Sequence, residues 1–387
     1  MSLPANPRGL AAGLLTSLRG VAAGLLAPAA ALVLAAGAAC LILAATGASP
    51  LDAAEAMVTN ALSGSSAAII LNSAAAYYIS AVAVAFTFRL NLFNIGVEGQ
   101  YRIAALCAAA VGAELRLPPI AGNAVVLLTA MAAGAIWAGI AAAIKGVNEV
   151  ISTIALNFIA IGLISYLLVP GRLGADGGGG NNLGTAPLPP SLRDPGFTTV
   201  AHGATLYWTS LLALATGIAF YVLLERTVFG FDLRAIGRSP DAARFGGTST
   251  ARITVITMLL SGATAGLAGM PALLGDSGGF SLSFPSGLGF IGIAVALIGR
   301  NRAAGMAFGA LLFSFLDNSS NVLQLLDISN EVVRIMEGLI VLAVVIAYEL
   351  SARWRARRER QATPSLAAPP TAGEPAAARP ARGKAAT

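Results

Sequence analysis

The run LNLFNIGVEGQYRIAALCAAAVGA places Asn94, Glu98, Gln100 and Arg102 at the head of an apolar stretch. The purely apolar part, Ile103 to Ala113, is too short to cross a hydrocarbon core of ~30 Å, so the polar residues are expected within or close to the membrane. A charge at the bilayer centre costs roughly 2.5 to 3.5 kcal/mol on insertion scales, and such residues face a bundle interior or an aqueous path. Gly96 and Gly99 add an expected helix break, of the kind that lines sites in transporters. Two readings stay open. Either Asn94, Glu98 and Gln100 line a solute path, or Glu98 and Arg102, spaced i to i+4, neutralise each other at the cytoplasmic interface.

Other chemistry is narrowed by what the chain lacks. A phosphate-binding G-x-x-x-x-G-K-[ST] loop needs a lysine, and Lys145 in IKGV and Lys384 in GKAA fit no such loop. The single histidine, His202, sits in a loop, so metalloprotease motifs and a membrane-buried Ser/His pair are absent. No metal site, cofactor or catalytic residue is expected in this chain, and it is not read as an enzyme. Cys40 and Cys107 fall in apolar stretches and read as small buried hydrophobes. Glu98, Glu149 and Glu337 are the main titratable groups available inside the membrane, few for a proton-coupled carrier.

The elements around these residues follow from composition: 56% of residues are apolar and 11% charged, which describes an all-α polytopic membrane protein. The formal charge of +6 sits beside apolar stretches and in the tail, which encodes membrane orientation and calls for no nucleic acid. About ten transmembrane helices are expected, roughly over 21 to 46, 66 to 88, 91 to 114, 121 to 144, 150 to 169, 207 to 224, 253 to 274, 286 to 299, 304 to 317 and 332 to 350. The first resembles a signal peptide, but its length and the segments that follow favour a retained helix. With the N-terminus inside, 20 of the 24 Lys and Arg residues fall on the cytoplasmic side, so both termini are expected in the cytoplasm.

The organisation read from this is a cytoplasmic N-terminus (1–20), a transmembrane domain (21–350) and a tail (351–387) that is basic over Arg353 to Arg360 and then disordered. The tail's arginines can sit near anionic headgroups. The segment 170–207, rich in glycine and proline, is an external loop that either meets whatever delivers the solute or only connects. The eighth segment, Gly287 to Arg300, is glycine-rich and barely long enough for a half-crossing. It and the third segment follow oppositely directed helices, which suits an inverted repeat of segments two to five against seven to ten.

The segment 225–252 (ERTVFGFDLRAIGRSPDAARFGGTSTAR) is the polar exception between two apolar helices. Ser239-Pro240-Asp241 offers a hydroxyl cap, a proline at the first helical position and an acid in the first turn, which predicts a short helix from Pro240 to about Phe245. Gly246-Gly247 ends it. So short a helix needs a surface to rest on. Arg238 and Arg244 flank it and suit carboxylates on a protein partner. The alternative is a positive-inside loop packed on its own bundle.

FNIGVEGQ (Phe93 to Gln100), GVNEVISTIALNFIA (Gly146 to Ala160), GFDLRAIGRSPDAARFGG (Gly230 to Gly247), SGATAGLAG (Ser261 to Gly269) and GFIGIAVALIGRNRAAG (Gly289 to Gly305) resemble, in that order, the permease subunits of ribose and branched-chain amino acid type ABC importers. The match is closest to the nucleoside or simple-sugar subgroup that works with basic-membrane-protein-type binding proteins. It covers roughly Ser66 to Glu349. Ala155 departs from the methionine often found there.

The resemblance implies a type II importer-like permease in a bacterial inner membrane, moving a nucleoside or, alternatively, a simple sugar. It also implies partners: a second permease, an ATPase that holds ATP and magnesium, and an extracytoplasmic solute-binding lipoprotein. Arg238, Pro240, Asp241, Ala243, Arg244 and Phe245 carry over as the ATPase coupling contact. Asn94, Glu98, Gln100, Glu149 and Asn157 carry over as motif positions that either touch solute or hold helices. Two rival classes remain at this stage. An ion-coupled secondary carrier would share the helices and the repeat, and a membrane scaffold would share the docking loop.

Overall fold

The computed structural model describes residues 33, 36–37, 39–44, 47, 49–143, 148–175, 183–197 and 205–362. Most of the first expected span, the cytoplasmic N-terminus and the end of the tail from 363 onward lie outside the described residues. Residues 35–342 form one compact unit. Among the described residues the regular elements are helical, and only isolated β-bridges occur.

The helices are α1 (Pro50–Ala61), α2 (Gly64–Phe88), α3 (Val97–Glu114), α4 (Pro119–Ala143), α5 (Glu149–Leu167), α6 (Leu211–Arg226), α7 (Val228–Arg238), α8 (Pro240–Phe245), α9 (Thr250–Ala268), α10 (Leu288–Ile298), α11 (Ala303–Gln324) and α12 (Asn330–Ala362). Among the described residues, five segments are long and apolar enough to cross a membrane: α2, α4, α5, α6 with the 3-10 turn before it, and α9 with the π-turn Pro271–Ser277 that follows it. The π-turn begins at a proline, which removes one backbone donor and widens the turn.

α2 is the central post. It is buried on nearly every side from Ala74 to Thr87, as an all-round apolar helix must be. α9 packs against it, and so do α10 and α11, while α9 in turn packs against α3 and α4. The α2 partners α10 and α11 thus mirror the α9 partners α3 and α4. The α4–α9 contact is built on small residues: a Cβ added to Gly134 would lie 2.2 Å from the carbonyl oxygen of Gly262, and the reverse holds equally. Gly266, one turn on, meets the carbonyl of Ala130 in the same way, so these helices approach backbone to backbone as small-residue interfaces in membranes do.

Several elements differ from the sequence expectation. The third segment is helical only from Val97, because the chain between Arg89 and Gly96 is unwound and Asn91 is left-handed (φ 58°). The break therefore lies at Gly96, and Gly99 is inside the helix. The ninth expected segment does not stop at 317 but continues as helix to Gln324, with Asp317 accepting a hydrogen bond from Tyr77 Oη (2.8 Å), so a polar residue in the helix has a partner. α12 runs through the basic cluster to Ala362. α1 and α7 were not separated from their surroundings in the sequence; α7 carries Gly230 and Gly237, which lower helix propensity. Those glycines bring its backbone onto Leu224 O and Arg89 O, so tertiary contact supplies what propensity does not.

Candidate functional site

The unwound stretch before α3 is fixed by side chains from other helices. Asn157 on α5 accepts from Gly99 N (2.9 Å) and donates to Ile95 O (2.9 Å). Thr153, one turn earlier, accepts from Ile95 N (3.3 Å) while donating to Glu149 O (2.8 Å). Asn94 and Gln100 pair their amides (3.3 and 3.1 Å), and Asn94 also accepts from Gly96 N and donates to Ser261 Oγ (3.0 Å each). Ser261 passes the chain on by donating to Ala83 O on α2 (2.7 Å). All of these amide groups are buried, which demands that they be paired. They are.

Glu98 serves a different helix. Its carboxylate accepts from Gly287 N (2.9 Å) and Gly289 N (3.0 Å), the free donors at the start of α10. Tyr101 Oη lies 2.9 Å from Glu98 Oε1 and 2.8 Å from Pro285 O, so its one proton serves one acceptor at a time. α3 and α10 thus meet N-terminus to N-terminus. Both dipoles present positive ends to the junction, and a carboxylate there is favourable to each. Neither helix has a side-chain cap at its own Ncap residue, which is glycine in both. Gly289 makes the meeting possible, since a Cβ there would lie 2.5 Å from Glu98 N. The carboxylate of Glu98 turns to α10 and forms no ion pair with Arg102.

The structure therefore brings Asn94, Glu98, Gln100 and Asn157 to one buried junction, with Glu149 at the first turn of α5, its carbonyl bonded to Thr153. Ser261, Thr153 and Tyr101 belong to the same network and were not singled out in the sequence. Tyr101, three residues beyond Glu98, could have been found by helical spacing. Ser261 and Thr153 lie within the quoted stretches SGATAGLAG and GVNEVISTIALNFIA, but nothing in the spacing of either points to a partner on α3.

The other candidate residues lie apart, on α7 and α8. Ser239 Oγ accepts from Ala242 N (3.3 Å), Pro240 takes the first position, and Asp241 lies in the first turn. Ala243 is buried against the body, while Arg238, Pro240, Asp241 and Arg244 are exposed. Phe245 is 95% exposed, and Val228 and Phe231 on α7 are exposed as well. An exposed phenyl ring beside exposed charges is a surface suited to a protein partner. Beneath it, Arg234 pairs with Glu225 (3.5 Å) and Asn91 Nδ2 holds Gly237 O (2.9 Å), tying this element to the ends of α6 and α2.

Two helix N-termini thus meet at one buried carboxylate, buried amides hold the unwound stretch before α3, and a self-capped helix lies between two apolar helices. The family model for the permease component of branched-chain amino acid transport systems matches residues 66–345. The chain belongs to this permease family. Curated relatives include the glucose ABC transporter permease protein TsgB13 of Haloferax volcanii, 34% identical over 297 residues, 74% of this chain and 77% of the relative. The guanosine ABC transporter permease protein NupP of Bacillus subtilis is 34% identical over 284 residues, covering 71% of this permease and 79% of its own length. The nucleoside ABC transporter permease protein NupB of Lactococcus lactis is 28% identical over 278 residues, 70% and 76% of the two chains. No solved structure matches. The family and the apolar helices make this permease a multi-pass membrane protein, a transport component rather than an enzyme.

Proposed function

We propose that the permease is the transmembrane subunit of an ATP-driven importer that carries a neutral polar solute, a nucleoside, across the bacterial inner membrane by alternating access. The observation that carries the reading is the exposed, self-capped α8 between membrane-length α6 and α9 in a chain of this family. α8, with Arg238, Pro240, Asp241, Ala243, Arg244 and Phe245, is the contact through which a separate ATPase delivers motion. ATP and magnesium belong to that partner. A second permease subunit and an extracytoplasmic binding lipoprotein complete the system, and the guanosine permeases NupP and NupQ of one organism favour two unlike permeases.

In this reading there are ten spans with both termini cytoplasmic, and the mirrored packing of α2 and α9 supports the inverted repeat. Asn94, Glu98, Gln100 and Asn157 hold the junction at the head of α3, and the junction moves as one body when the bundle rocks. Nucleoside as cargo is supported by the relatives named for guanosine and nucleosides. A simple sugar is the second reading, supported by the glucose permease at equal identity. Uptake of labelled guanosine and of labelled glucose, in cells with and without this chain, separates the two. Guanosine uptake should require the chain; loss of glucose uptake alone would transfer the assignment to sugars. Arg244→Glu with Asp241→Lys should abolish co-purification of the ATPase from a folded permease, and unchanged co-purification would remove α8 from the coupling role.

A further inference from the structure

A groove of about 1040 Å³ runs along α6, between it and α2 and α11. Its wall is apolar over most of its length, with Ala74, Leu214, Ile218, Ala307 and Leu311 among the lining side chains. Leu214, Ile218 and Leu311 are 64%, 56% and 43% exposed, so the groove opens sideways on the face a membrane would cover. α6 extends for about 24 Å at 1.5 Å per residue, longer than one leaflet's share, about 15 Å, of a ~30 Å hydrocarbon core.

One end of the groove differs from the rest. Arg89, Arg302 and Glu225 line it, and Glu225 is already paired with Arg234 (3.5 Å). Three guanidinium groups thus face one carboxylate. Arg89 donates from Nη2 to Asn301 O (2.8 Å), but its Nε is buried without a hydrogen-bond partner. Burial lowers the Arg89 pKa; Glu225 opposes that shift, while Arg234 and Arg302 add to it. Arg302 is exposed at the head of α11. An excess of positive charge at the mouth of an apolar trough complements a molecule with a phosphate at one end and an acyl chain at the other.

We infer that this groove binds an anionic phospholipid, its phosphate between Arg89 and Arg302 and one acyl chain along α6 against Ala307 and Leu214. The inference rests on the membrane reading of the chain but not on its cargo or its ATPase. A lipid seated there fills the space beside α6, the helix that leads directly into α7 and α8.

The test is lipid retention by the full chain, purified in detergent, exchanged into mixed micelles of phosphatidylglycerol and phosphatidylcholine, and read by native mass spectrometry. The permease should retain phosphatidylglycerol in preference to phosphatidylcholine. Arg302→Gln should reduce that retention about fivefold, the value of one interfacial arginine, and leave phosphatidylcholine unchanged. Ala307→Trp, which fills the trough without altering charge, should reduce phosphatidylglycerol retention in a protein that elutes as the parent does. Equal retention of the two lipids, or retention indifferent to both substitutions, would overturn the site. So would displacement of the lipid by millimolar inorganic phosphate, which would mark a free-anion site, or by self-association, which would mark an interface between copies. Because transport is not measured, each of these failures leaves the importer reading standing.

Discussion

The N-termini of α8 and α10 pose one physical problem, free backbone donors, and solve it in opposite ways. α8 is capped from within: Ser239 accepts from Ala242 N, Pro240 has no donor to lose, and Asp241 complements the dipole. α10 begins at Gly287, which has no side chain to offer, and is capped by Glu98 from the head of another helix. At the protein surface water can serve a frayed end, so a local cap is a refinement. Inside a membrane bundle water is scarce, and the donors must be met by whatever side chain the fold delivers. The same contrast holds for α3, whose third N–H is met by Asn157 of α5.

Removing the shared carboxylate should therefore produce the largest effect. Glu98→Ala would leave Gly289 N, which is buried, and Gly287 N, which is half-buried, both unpaired, a loss of about 4 kcal/mol at a per-donor cost of about 1 to 3, read as a lower unfolding temperature in detergent. Glu98→Gln keeps one acceptor oxygen, and the loss should fall to about 2 kcal/mol. Equal losses from Ala and Gln, which differ in volume but share the loss of the carboxylate, would mean that a single amide oxygen gives no cap and that both carboxylate oxygens are needed. Close behind comes Gly289→Ala, whose Cβ would meet Glu98 N at 2.5 Å; forcing the helix ends apart should cost about 1 to 3 kcal/mol. A stable Gly289→Ala protein would show that α3 and α10 can separate freely.

The contrast also separates what was legible in the sequence from what was not. Ser239-Pro240-Asp241 and Gly246-Gly247 lie close together along the chain, so the bounds of α8 are legible from local residue choices alone. Gly96 likewise announced the break before α3. The polar residues of FNIGVEGQ are expected within or close to the membrane, because the apolar run after them is too short to cross alone, and Asn94, Glu98 and Gln100 are buried in the structure. Their partners were not legible. Gly287 is 189 residues from Glu98, Asn157 is 58 from Gly99, and nothing local distinguishes a carboxylate that caps a distant helix from one that pairs with Arg102 four positions on. α7 was missed for a related reason: its two glycines weaken the helical pattern, and the carbonyls they pack against come from α2 and α6.

The smallest expected effect tests the surface half of the contrast. Ser239→Ala removes one side-chain acceptor from an exposed helix start, and the cost should be about 1 kcal/mol, as for N-caps generally. Ser239→Gly should cost only a few tenths, because glycine leaves the end open to water. For α10 no such rescue exists, since its start is already glycine and still needs Glu98. Hydrogen exchange at Ala242 N should accelerate in Ser239→Ala, while exchange at Gly287 N and Gly289 N stays slow; in Glu98→Ala that order should reverse. If both sites respond to either substitution, α8 and the junction of α3 with α10 are coupled through α7 and α2, and α8 would be a sensor of the buried junction as well as a surface.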